Sequence, residues 1–190
     1  IITAAADVQR GVDGAGWIEV VTFAWGRNLE RWVVDWQKFE GDTSDTSTPG
    51  GPWEKLERLR EKFYPHAHSG VAMPVTMLAV DSGDQTTTVY DWCASQPAGT
   101  VMAVKGMPTG TVMVSSAKPI QIKPNGQRRA RSTKLWNITL PIIKSELYQQ
   151  LRYKMVEGEP VGRGFIHFPE LEEEFFLQMC AEQRVMKRVS

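Results

Sequence analysis

Ile1-Ile2-Thr3-Ala4-Ala5-Ala6-Asp7-Val8-Gln9 is a β-forming apolar run that carries a single acid near its end, and Val75-Thr76-Met77-Leu78-Ala79-Val80-Asp81 repeats the arrangement later in the chain. An ionised carboxylate beside a buried strand is tolerated mainly when it is paired or coordinates a metal. Strand ends are also where α/β sheets build their sites. If the two strands are neighbours, Asp7 and Asp81 converge on one hard cation, Mg²⁺ or Mn²⁺, which prefer oxygen ligands. For Asp81-Ser82-Gly83 a turn capped by the Asp side chain is an equal alternative. Asp7 is harder to explain as a turn.

The segments around these runs indicate the fold class. Trp17 to Trp25 and Arg31 to Phe39 are β-rich, and the hairpin signals Asp13-Gly14 and Gly26-Arg27-Asn28 separate them, so the chain should open as a three-stranded antiparallel meander. Alternation puts Trp17, Val21, Phe23 and Trp25 on one face of the second strand, and Trp32, Val34 and Trp36 on one face of the third. After a Ser/Thr/Gly/Pro loop, Trp53, Leu56, Leu59, Arg60 and Phe63 recur at helical spacing up to Tyr64-Pro65. Val75 to Val80 lacks alternation, as a strand buried on both faces should. A second helix through Tyr90 and Trp92 and a buried strand over Thr100 to Val104 follow. Gly106 to Gln127 reads as short strands and a mobile loop, Leu135 to Ile138 as a strand, Pro141 to Tyr153 as a helix, and Gly164 to Phe168 as a strand. Pro169 opens a last helix whose Glu170, Glu172, Glu173 and Glu174 sit where the helix dipole favours anions. Hairpins followed by alternating helix and strand predict an α/β fold with one mixed sheet and helices on both faces, as in ribonuclease H-like folds.

The 190 residues suit a single domain, so residues 1–190 are expected to form one. No apolar run is long enough to span a membrane, and Asp7, Arg10, Asp13 and Glu19 exclude a signal peptide, which predicts a soluble intracellular protein. The opening at Ile1 without Met, directly in a strand, suggests a domain cut from a larger chain. Cys93 and Cys180 are too few for a disulfide scaffold and lack zinc-site spacing.

The 22 basic and 22 acidic side chains cancel overall but not along the chain. Trp92 to Ser145 holds no acid and eight cations: Lys105, Lys118, Lys123, Arg128, Arg129, Arg131, Lys134 and Lys144. The remainder is therefore at −8, and the folded molecule should be electrostatically two-sided, with a basic face suited to a polyanion. Arg128, Arg129 and Arg131, in a loop rich in Gly, Gln and Ser, together with Lys134, would contact phosphates without reading sequence. His66 and His68 read as solvated loop residues, His167 as a capping or core residue or a metal ligand, and Lys105 as a phosphate contact or a surface Lys.

Several motifs occur in a telling order: Asp7-Val8-Gln9; Trp32-Val33-Val34-Asp35 followed by Gly41-Asp42; Trp53-Glu54 with Leu56; Val80-Asp81-Ser82-Gly83 with Val89-Tyr90; Val104-Lys105-Gly106; Lys144 before Leu147-Tyr148; and His167-Phe168-Pro169. In this order they resemble the nuclease domain of lambda-type phage terminase large subunits over nearly the whole chain. The resemblance implies a DNA-packaging endonuclease of ribonuclease H-like fold. It would cut concatemeric double-stranded DNA in the host cell cytoplasm, beside an ATPase domain N-terminal to Ile1, with the terminase small subunit and the portal protein as partners. No Gly-x-x-x-x-Gly-Lys-Ser/Thr occurs here, in keeping with the motor lying elsewhere. Asp7 and Asp81 match the family's first two metal-binding acids. The third, an Asp after an Asn-Glu pair, is expected beyond Ser190, with His167 or a Glu of the last helix as alternatives. Two metals about 4 Å apart, bridged by Asp7, would activate a water and steady the leaving 3′ oxygen.

Two rivals remain open. One is another ribonuclease H-like nuclease, such as a Holliday-junction resolvase or transposase core. The other is a non-catalytic DNA-binding assembly module that keeps the fold and the basic face. A restriction-type site is disfavoured, because Ala103 stands where its acid two residues before Lys105 would be.

Overall fold

The computed structural model describes residues 1–12, 15–123 and 125–181, with the side chains of 122, 129 and 130 left aside. The hairpin signal Asp13-Gly14 lies outside the described residues. Strands β1 (Ile2–Gln9), β2 (Gly16–Trp25) and β3 (Arg31–Gly41) form the antiparallel meander. Between β2 and β3 the chain reverses through Asn28 and Leu29, both in left-handed backbone with φ of 56° and 59°. Helix α1 (Pro52–Arg60) follows, then β4 (Phe63–Pro65) and β5 (Ala72–Asp81), then α2 (Thr86–Ser95) and β6 (Val101–Met107). The chain continues through β7 (Lys118–Ile122), β8 (Arg128–Thr139), α3 (Leu140–Gln150), β9 (Ile166–His167) and α4 (Glu173–Cys180).

All nine strands form one mixed sheet in the order β7-β8-β6-β5-β1-β2-β3-β9, with β4 paired to β5 off this path. Strand β1 is central, antiparallel to β2 and parallel to β5, and β5, β6 and β8 continue parallel. The even-numbered residues of β1 (Ile2, Ala4, Ala6, Val8) join Ile18, Val20, Leu78 and Val80 in the main core, closed by Trp53, Leu56 and Leu59 of α1 and by Val89, Trp92 and Cys93 of α2. On the other face Val33, Ile166 and Phe175 gather Val21, Phe23, Trp36, Leu147 and Leu151 under α3 and α4. Helices thus cover both faces of a mixed sheet, the α/β architecture of ribonuclease H-like folds. Among the described residues no helix is long and apolar enough to cross a membrane.

Four local expectations are corrected. Trp32, Val34 and Trp36 do not share a packed face: Thr22 pairs with Asp35 and Phe23 with Val33, so Val34 is an extra residue in a bulge that reverses the alternation. Val33 and Trp36 are therefore the inward residues, and Trp32 and Val34 are exposed. The first helix ends at Arg60, because Phe63–Pro65 pairs with β5. Arg128 to Arg131 belong to a twelve-residue strand and not to a loop, since β7 pairs back onto β8 as far as Arg128. The last helix starts at Glu173, leaving Glu170 and Glu172 ahead of it.

Sheet order also separates the charge. The basic stretch builds β6, β7, β8 and α3, and the first three of these occupy one lateral side of the sheet. The acid-rich remainder supplies β5, β1, β2, β3 and β9 on the other side.

Candidate active site

Strand pairing brings the two acidic runs together. In the parallel β1–β5 ladder Ala5 is opposite Ala79 and Ala6 opposite Val80, so Asp7 and Asp81 are the next residues on adjacent strands. Both belong to the odd-numbered set that points away from the main core, toward the face covered by α3 and α4. Asp7 is exposed and accepts a hydrogen bond from Gln9 Nε2 at 2.5 Å.

Asp81 is half-buried, and its carboxyl is pushed above the usual carboxylate range. Burial is the main cause, and the neighbouring Asp7 charge adds to it; the backbone N–H groups of Gly83 and Ser82 and the Lys105 ammonium pull the other way. The turn-cap alternative is therefore present as well: Gly83 N–H donates to Asp81 Oδ2 at 3.1 Å. The cap leaves the carboxylate beside Asp7, and a Cβ at Gly83 would come within 2.8 Å of Asp81 Oδ2, so this turn is closed by glycine. Ser82, fully buried, fixes the strand end by bonding Val104 O through its N–H (2.9 Å) and its Oγ (2.8 Å).

Sequence reasoning missed Glu19, which faces Asp7 directly across the antiparallel β1–β2 ladder. Like charges placed so repel, and Glu19 instead accepts from Trp36 Nε1 at 2.8 Å. The signal was available, because Glu19 interrupts the apolar series Trp17, Val21, Phe23, Trp25. Among the described residues no group of three or more His, Cys, Asp and Glu side chains is gathered to hold a metal ion.

His167 is not brought to the carboxylate pair. It lies on β9, the far edge strand, opposite Trp32. That position is three strands from β1, about 14 Å across the sheet, and six residues, about 20 Å, along β3 from the level of Asp7. Its ring stacks on Trp32 (4.8 Å, 4°), and Nε2 lies 2.7 Å from Glu30 Oε1. His66 and His68 stand in an exposed loop, with His66 Nδ1 bonded to Ser69.

The basic residues divide between the faces of β8. Register continues from Asp81 through Val104 to Trp136, so Lys134, two residues from Trp136, shares the carboxylate face and is exposed; Arg128, exposed as well, lies beyond a register shift in the β7–β8 ladder. Arg131 takes the opposite face and donates to Ser95 O (3.4 Å) at the carboxyl end of α2. The side chain of Arg129 lies outside the described residues. Lys123 is tied to Asp91 at 3.7 Å.

A family model described as terminase large subunit gpA, endonuclease domain, matches residues 1–190. No curated protein and no solved structure matches the chain.

Proposed function

The chain belongs to the family of terminase large-subunit gpA endonuclease domains, and on that premise we propose that it hydrolyses the phosphodiester backbone of concatemeric double-stranded DNA with Asp7 and Asp81 as its metal-holding acids. The observation that carries this reading is the placement of those two carboxylates at the same level of adjacent parallel strands.

The donor set fits a hard divalent cation: Asp7 and Asp81 offer oxygen only, and would hold Mg²⁺ or Mn²⁺ with water and substrate supplying further oxygens. When bound, such a cation lowers the pKa of a coordinated water and neutralises charge building on the phosphate and the leaving 3′ oxygen. The chain's own residues do the rest. Gln9 and the Gly83 N–H hold the Asp7 and Asp81 carboxylates in place. Lys105 offsets the charge of Asp81 and would accompany a phosphate approaching the pair. Arg128 and Lys134, both exposed on β8, would grip the duplex backbone without reading bases. Cut-site choice then falls to the partners: the terminase small subunit, the portal protein and the ATPase domain of the full-length chain, assembled in the host cell cytoplasm.

Replacing Asp7 by Asn tests this. A nuclease loses Mn²⁺-dependent cleavage of linear duplex, whereas a binding module treats wild type and variant alike. Equal degradation by both proteins would end the catalytic reading.

A further inference from the structure

A cleft of about 320 Å³ opens just past the ends of β1 and β5, with Arg10, Gly16, Asp42, Ser44 and Gln85 in its walls. This lies at the small end of the range for ligand sites. Arg10 is three residues beyond Asp7 and Gln85 four beyond Asp81, so the cleft lies within about 10–13 Å of the carboxylate pair. The two loops are tied together: Arg10 N–H donates to Asp84 Oδ2 at 2.7 Å, and its guanidinium lies 3.6 Å from Asp84 Oδ1.

Gln85 is a nearly buried polar residue of the cleft wall. It is only 9% exposed, yet its carboxamide has no hydrogen-bond partner among the described residues. It precedes α2 without capping that helix through its side chain, and no acid stands in the helix's first turn. The carboxamide atoms are not sealed from solvent; they open onto the cleft and are free to pair with what enters it. Asp42, exposed in the same lining, accepts the Ser44 N–H (2.8 Å) and hydroxyl (2.7 Å) through Oδ1, leaving Oδ2 without a partner among the described residues. The wall is close-packed at Gly16, where a Cβ would meet Gln9 O at 2.6 Å and Thr43 Oγ1 at 2.7 Å.

The charges decide what class of ligand belongs here. One cation, Arg10, stands against two carboxylates, Asp42 and Asp84, so a free phosphate is not favoured. A neutral, flat molecule with donors and acceptors along one edge is. Carboxamides pair with adenine-type edges, and carboxylates accept from exocyclic amino groups. We propose that this cleft is a nucleobase subsite, taking one unpaired base of the strand next to the cut and holding it through the Gln85 carboxamide and the Asp42 carboxylate. Its assignment to the cut strand rests on the nuclease reading; its chemistry does not.

The test is an amide-shift titration of the isotopically labelled protein with adenosine, with cytidine and with inorganic phosphate, in the absence of divalent metal. Nucleoside should shift Arg10, Gly11, Gly16, Thr43, Ser44 and Gln85, and leave the distant Phe63–Pro65 strand still. Gln85→Leu and, separately, Asp42→Asn should each weaken nucleoside binding at least tenfold while the rest of the spectrum stays in place; if the first variant fails to fold, the second carries the test. No shift with either nucleoside, or the same shifts with phosphate alone, would overturn the proposal. Because no cleavage is read, a protein that binds nucleoside but cuts no DNA with Mn²⁺ would disprove the nuclease reading and leave the subsite standing.

Discussion

Asp81→Asn should make the metal-free protein more stable. Adjacent strands are about 4.8 Å apart, which sets the two carboxylates roughly 5–6 Å from each other. At an effective dielectric of about 20 their repulsion is about 3 kcal/mol, and because Asp7 is exposed, solvent and salt screening reduce it to about 1 kcal/mol. The Asn side chain keeps an oxygen to accept the Gly83 N–H, so the turn survives the substitution. For a chain of this size the gain is a melting temperature higher by about 2–4 °C in EDTA at neutral pH and low salt.

The pH dependence follows from the direction of the Asp81 shift. Its carboxyl titrates above the ordinary 3.8, so the folded state holds the proton more tightly than the unfolded chain does. Wild type therefore loses stability relative to the variant as pH rises from 3.8 to the raised value, and the two converge below 3.8. Free Mn²⁺ at ten times its dissociation constant adds about 1.4 kcal/mol to wild type, and little to a variant that has lost one of two acids, so the difference narrows or reverses. Calorimetric melting in EDTA and in Mn²⁺ reads both effects. A variant less stable than wild type in EDTA, or an equal Mn²⁺ shift in both proteins, would refute the argument.

Three other perturbations have defined outcomes. Neutralising Arg128 and Lys134 together should weaken duplex binding and lower the slope of log affinity against log salt by about 0.9 for each phosphate no longer neutralised, measured by anisotropy across a salt series; an unchanged slope would remove β8 from the DNA interface. Asp35 is held below the usual carboxylate range: burial opposes this, but hydrogen bonds from Lys62 (2.7 Å), Tyr64 (2.7 Å) and Gln37 (2.8 Å) outweigh it. It thus contributes stability above the ordinary carboxylate value that is lost as pH falls through its lowered one, and Asp35→Asn should flatten the acid limb of a stability–pH curve. His167→Ala should leave Mn²⁺ affinity by calorimetry unchanged while lowering the melting temperature, because the ring no longer stacks on Trp32 or bonds Glu30.

The part of the site that the sequence revealed depended on two strands. An apolar run that ends in a single acid carries its own physical anomaly, and two such runs identified Asp7 and Asp81. That they are adjacent followed only from the ladder, because pairing between β1 and β5 joins residues far apart in the chain. Val34 shows why alternation misled for β3: one bulged residue reverses every later side chain, and nothing in Trp32-Val33-Val34-Asp35 marks it. The Arg128–Arg131 segment has a loop-like composition, and its strand conformation is imposed by pairing with β7 and parallel continuation from β6. Propensity yields to such partners. Glu19 and Gln85 escaped for opposite reasons. Glu19 sat in plain alternation beside an acid whose partner strand had not been assigned, while the burial of Gln85 comes entirely from tertiary packing.

The central claim is that Asp7 and Asp81 share a cation. Anomalous difference density from a crystal of this chain soaked in Mn²⁺ measures it most directly: a peak between the two carboxylates, lost in Asp7→Asn, is the predicted result. A fully occupied Mn²⁺ site elsewhere with nothing between Asp7 and Asp81 would contradict it.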